Sequence, residues 1–184
     1  MDVNFKFNEP SAVEPIRIEQ VFAEKPGGGV VKAPTYDVPA TTAVSANADG
    51  TFSVIKSYRL VQAVTASDTS IKIAKGSGVA KGDVIATGKK GVACTAVNST
   101  NAEYDTVTVT LGIELPAGTA LYQAASASAD AAEPVATPVF VTGNTIKGGE
   151  GDKAVRLING ANLRKETACI ASEVAALLPT INLV

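Results

Sequence analysis

Histidine and tryptophan are both absent from this chain, methionine occurs once, and cysteine occurs twice. Without histidine there is no His-based triad, no His metal ligand and no member of the commonest class of general base. Two cysteines at positions 94 and 169 do not make a four-ligand zinc site. No paired acidic motif stands out, so the chain reads as non-enzymatic and no cofactor is expected. The net charge is -2 and neither sign runs in a long block. A nucleic-acid binder needs a basic face, so that class is set aside. No apolar run approaches the roughly 18 residues of a membrane span. The opening MDVNFKFNEP lacks a basic region followed by an apolar stretch, which predicts synthesis in a cytoplasm. There the two cysteines, in GVACTAV and ETACIAS, are expected as buried free thiols.

What is present is small and β-branched. The chain holds 22 Val, 11 Ile and 18 Thr against 9 Leu. Such side chains suit a pleated surface and lose rotamer freedom in helices, so a mainly β fold follows. Aromatics make up 5% and alanine numbers 30, so the core is built from small side chains. A monomer of this kind is modestly stable and gains from oligomerisation or docking.

Residues 1–50 read as an extended N-terminal arm, because Pro10, Pro15, Pro26, Pro34 and Pro39 interrupt it. PIRIEQVF is one short strand within it. Phe5, Phe7, Ile16, Ile18, Val21 and Phe22 are the candidate contacts to a capsid or a second subunit; packing on the chain's own core is the competing assignment.

Residues 51–184 read as a β domain, a small barrel or sandwich. GTFSVIKSYRLVQAV is one strand or two with a bend, DTSIKIA, DVIATG and GVACTAV are short strands, and SASADAAEP is a loop. In DTVTVTLGI, Val107, Val109, Leu111 and Ile113 alternate with threonines. PVATPVFVTG carries Pro138 and reads as an edge strand. A closing helix is expected over about 162–178, with Leu163, Ile170, Val174, Leu177 and Leu178 on its buried face and Pro179 as its stop. TINLV is a candidate last strand.

The glycine-rich stretches do not build a nucleotide site. In GDVIATGKKG, five residues separate Gly82 from Gly88, and Lys90 stands where the Walker pattern needs a hydroxyl. GSGVAKG is one residue too long for the dinucleotide fingerprint. KGD, at Lys81–Asp83, reads as a hairpin turn.

GDVIATGKKGVACTAV followed by TVTVTLGIELPAGTALY resembles small capsid decoration proteins of tailed phages. PVFVTGNTIKGGEGDKAVRLINGANLRKETACIASEVAALLPTINLV is similar to the closing region of head fiber proteins in phages of gut Bacteroidales. The likeness covers roughly residues 55–184. It implies a structural virion protein on the outer surface of the capsid, bound to the major capsid protein, often as a homotrimer. A host surface or mucus glycan is a further possible partner under it. No catalytic residue comes with it, and 184 residues leave little room for the distal stalk of a true fiber. A surface binding module, adhesin or carbohydrate-binding, is the alternative.

Overall fold

A computed structural model describes residues 15–184. It is mainly β, with a curled large sheet and one short C-terminal helix, as the composition predicts. In chain order, β1 (Ile18–Glu24), β2 (Gly29–Val31), β3 (Ala43–Ala46) and β4 (Phe52–Val54) come first. An inserted run follows: β5 (Ser57–Arg59), β6 (Ser70–Ala74), β7 (Val84–Thr87), β8 (Lys90–Ala93), β9 (Ala96–Asn98), β10 (Tyr104–Thr108) and β11 (Ala120–Ala124). The chain closes with β12 (Phe140–Thr142), β13 (Lys153–Val155), β14 (Leu157–Leu163), α1 (Ser172–Ala175) and β15 (Ile181–Leu183).

The first and last groups of strands form one eight-stranded sheet in the order β1-β14-β12-β3-β4-β2-β13, with β15 beside β14. The inserted run forms a four-stranded sheet, β5-β11-β7-β8, and a three-stranded sheet, β6-β10-β9.

Alternation of side chains explains the stacking. In the large sheet, Ala43, Val141 and Ile158 turn to one core, while their neighbours Val44, Phe140 and Leu157 turn to another. In the four-stranded sheet, Ala86, Tyr122 and Ala124 face the first of these cores. Tyr58, Ile85 and Leu121 face a third core, which Ile71, Ile73 and Val107 cover from the three-stranded sheet. The molecule is therefore a stack of sheets, and the four-stranded sheet is buried on both faces. Val107, Val109 and Leu111 are buried as the threonine alternation predicts.

Three expectations need correction. Residues 15–50 are not a free arm, because β1, β2 and β3 are built into the large sheet. The prolines that suggested an arm sit between strands: Pro26 in the β1–β2 turn, Pro34 and Pro39 before β3. PVFVTG does not form an edge, since β12 lies inside the sheet between β14 and β3. Pro138 precedes the strand and withholds no ladder bond from it.

Residues 162–178 are not one helix. Leu163 ends β14, a turn follows, and α1 spans only Ser172–Ala175. Asn162 pairs with Asn182 of β15, and the Asn182 amide donates to Asn162 Oδ1 at 3.0 Å. Leu163, Ile170, Val174 and Leu178 still reach one core, through strand, loop and helix in turn. Leu177, expected among them, is 51% exposed. Starting a helix is costly, and strand pairing on both flanks removes the length that would offset it.

Candidate functional site

Two regions are candidates: the outer edge of β1 and a cleft where the sheets meet. Among the described residues β1 is the terminal strand of its sheet, and one line of its backbone N–H and C=O groups faces no other described strand. Its register against β14 shifts between Ile18 and Gln20 and again between Val21 and Ala23. Ile18 and Val21 both pack on the core, although their spacing does not fit plain alternation. Ile16 and Phe22 face outward, 62% and 52% exposed. The Phe22 ring lies over Gly160, where a Cβ would come within 2.9 Å of it. Glu19 pairs with Arg164, and Glu24 with Arg156, which fastens the polar residues of β1 to the rest of the sheet. The six sequence candidates thus divide: Ile18 and Val21 serve the fold, Ile16 and Phe22 are open, and Phe5 and Phe7 lie outside the described residues.

The cleft has a volume of about 430 Å3. Three distant stretches of chain make it: residues 15–42, residues 57–77, and residues 145–169. Tyr36 joins two of them. Its ring packs on Gly78 (φ 64°), where a Cβ would lie 2.3 Å from the ring, so both the backbone and the space require glycine. Thr41 beside the cleft has φ 71°, rare for a β-branched residue. Its hydroxyl accepts the Cys169 N–H at 2.7 Å, and its own N–H donates to Thr142 O at 2.7 Å, which holds the strained residue in place.

Among the described residues four cations line the cleft: Arg17, Arg59, Lys75 and Lys147. Lys147 meets Asp37 at 2.7 Å, and Lys75 meets Asp105 at 2.6 Å. Asp37 also accepts the Gly148 N–H, and these partners hold its carboxyl below the usual range. Arg59 instead donates to neutral carbonyls, those of Gly118 at 2.6 Å and of Ala168. Burial pulls the Arg59 guanidinium down, with the Arg17 charge adding to that pull and Cys169 and Glu166 opposing it. Burial pushes the Cys169 thiol up, against the opposing effect of Arg17 and Arg59. The thiol is therefore neutral at ordinary pH, and the chain has no histidine to take its proton. What the cleft offers is charge and hydrogen bonding.

Beneath it lies a polar hub. Asp83 accepts from Lys56 Nζ at 2.8 Å, Tyr58 Oη at 2.9 Å and the Ala80 N–H at 2.9 Å. The KGD stretch is thus a turn, and its aspartate is structural. Both cysteines are free; Cys94 is buried and Cys169 partly exposed.

Cys169 was expected only as a buried free thiol, and none of the cleft residues was expected as part of a binding site. Arg17, Arg59 and Ser77 share no spacing or motif, and only long-range pairing brings them together. Among the described residues no group of three or more His, Cys, Asp or Glu is placed to hold a metal ion. Among the same residues no helix is long and apolar enough to cross a membrane. No family model, curated protein or solved structure matches this chain.

Proposed function

We propose that this chain is a non-enzymatic structural protein of a phage virion. In this reading it sits on the outside of the head and binds the major capsid protein as a decoration or head fiber protein, in a homotrimer. The observation that carries the reading is the placement of β1. Among the described residues it is a sheet edge with no strand beyond it, and two exposed apolar side chains accompany it, Ile16 just before the strand and Phe22 within it. An open edge takes up a partner strand through backbone hydrogen bonds, and apolar anchors beside it add affinity. The stretch with the more specific family likeness supports it too. VRLINGANL supplies β14, the strand that holds β1, β12 and β15.

The test is on particles. Antibody raised against the purified protein should label the surface of intact heads from the host that carries the gene. Absence of the protein from purified particles overturns the proposal. Ile16→Asp combined with Phe22→Asp should keep the circular dichroism of the parent and lose binding to heads. Undiminished binding by that variant removes β1 as the docking edge. Light scattering on the free protein should give three times the chain mass; a monomer would leave any symmetry to the capsid.

A further inference from the structure

We propose that Asn159 deamidates spontaneously, through a succinimide closed by the Gly160 nitrogen, and that the change loosens β1 from β14. This does not depend on the virion role. Three observations converge. First, Asn159 and Gly160 form the one Asn-Gly pair in the chain. Asparagine is chemically labile, and a following glycine has no Cβ to shield its backbone nitrogen. The fold keeps that glycine, since a Cβ at Gly160 would lie 2.9 Å from the Ala23 Cβ and from the Phe22 ring. Second, the pair sits at a break in the ladder. Glu24 pairs with Ile158 and Ala23 with Gly160, so Asn159 is the extra residue of a bulge and has no partner on β1. Elsewhere along β14, the β12 pairing stops at Ile158 and the β15 pairing starts at Ala161. A small local opening frees this peptide unit without parting a whole ladder.

Third, the Asn159 amide is loose. Among the described residues, the side chains of Asn47, Asn98, Asn101, Asn144, Asn162 and Asn182 each take part in a hydrogen bond. That of Asn159 takes part in none, and the residue is exposed in the middle of its strand. The step balances without another protein group. The Gly160 nitrogen loses its proton and bonds to Asn159 Cγ, and the side-chain nitrogen leaves as ammonia. Water then opens the ring at either carbonyl, giving aspartate or isoaspartate. Thr180 Oγ1 donates to the Asn159 carbonyl, which belongs to the same peptide unit as the attacking nitrogen. That bond draws electron density from the unit and makes the Gly160 N–H more acidic. The isoaspartate product routes the main chain through the side-chain carbon. β14 then gains an extra backbone atom at the bulge, and its register against β1 is displaced.

The test is timed peptide mapping of the full chain, folded and in urea, in mildly alkaline buffer. In the folded protein Asn159 should turn from amide to acid at least about tenfold faster than any other described asparagine. The rate should rise with pH, because the attacking nitrogen must shed its proton. Asn159→Gln requires a larger, slower ring and should abolish the conversion while leaving the melting temperature unchanged. The isoaspartate fraction, separated by ion exchange, should show faster hydrogen exchange in β1 than the parent. Asn159→Asp carries the charge without the extra backbone atom and should show little of that change. Conversion in urea with none in the folded chain means that the ladder locks the pair, and it overturns the proposal. So does conversion of another described asparagine ahead of Asn159, or unchanged β1 exchange in the isoaspartate fraction.

Discussion

The inserted segment and the eight-stranded sheet use the same alternation of apolar and polar residues, yet they close in opposite ways. Within the insertion, partners are near in sequence: β7 pairs β8 as a hairpin, and β6 pairs β10 across one excursion. Its core, with Tyr58, Ile73, Ile85, Leu111 and Leu121, is drawn from one continuous stretch. The large sheet is assembled from both ends, with Ile18 opposite Leu163 and Val44 opposite Phe140. Local pairs form with less loop entropy, so the insertion is the part expected to order first. The large sheet depends on a closing event that brings residues 140–183 back to β1 and β3.

The strongest way to break this contrast is to destroy the closing core. Val174 is buried against the β14 side of the stack. Val174→Asp places an unpaired charge there and should destabilise by more than about 3 kcal/mol. Hydrogen exchange should show β1, β14 and β15 losing protection while β6, β9 and β10 keep theirs. Simultaneous loss in all six would make the two regions one cooperative unit. Leu111→Ala, in the inserted core, should cost about 2–5 kcal/mol and reverse that order of loss.

Gly78→Ala acts at the seam. It drives a methyl into the Tyr36 ring at a positive φ, and about 1–3 kcal/mol is expected, seen as a lower urea midpoint. An unchanged midpoint would mean that Tyr36 does not join the two regions.

The legible part of the fold was the local part. DTSIKIA, DVIATG and DTVTVTLGI show their strands because each buries one face against a near neighbour. The apolar residues of the last segment were legible, and their geometry was not. Leu163 satisfies a helical spacing to Ile170 and a strand spacing to Ala161, and β1, far away in sequence, together with β15, just past the expected helix, settles which one holds. The prolines before Thr51 were correctly read as breaks, but what lies between them takes its partners from the other end of the chain. The cleft was invisible for the same reason, since Arg17 comes from one stretch of chain, Arg59 and Ser77 from a second, and Cys169 from a third.

pH separates the regions further. Burial and the Asp83 charge push the Tyr58 phenol far above its ordinary value, and burial does the same for Tyr36. Both are kept protonated in the fold, whereas an unfolded tyrosine ionises near about pH 10. Their contribution to stability is full below about pH 10 and declines as pH rises past it. Tyr58→Phe should flatten that alkaline decline in a urea titration while losing about 1 kcal/mol at neutral pH, from the bond to Asp83. The smallest effect belongs to Leu177→Asp. On a helical reading it unfolds the molecule; with the side chain half exposed it should fall within about 0.5 kcal/mol of the parent.

The central strand β14 has a mechanical consequence. β1 runs antiparallel to it and β15 parallel, so Ile18 and Leu183 both sit beside Leu163 at the same end of the sheet. Tension applied through these two residues does not pull the ladders along their length. It peels each outer strand from that end, one bond after another, and the resistance at any instant is that of a single rung. Tension entering through β1's other end, at Glu24 opposite Ile158, would have to slide the whole β1–β14 ladder at once. Which residue a tether grips therefore decides whether the same set of hydrogen bonds behaves as a zipper or as a lap joint.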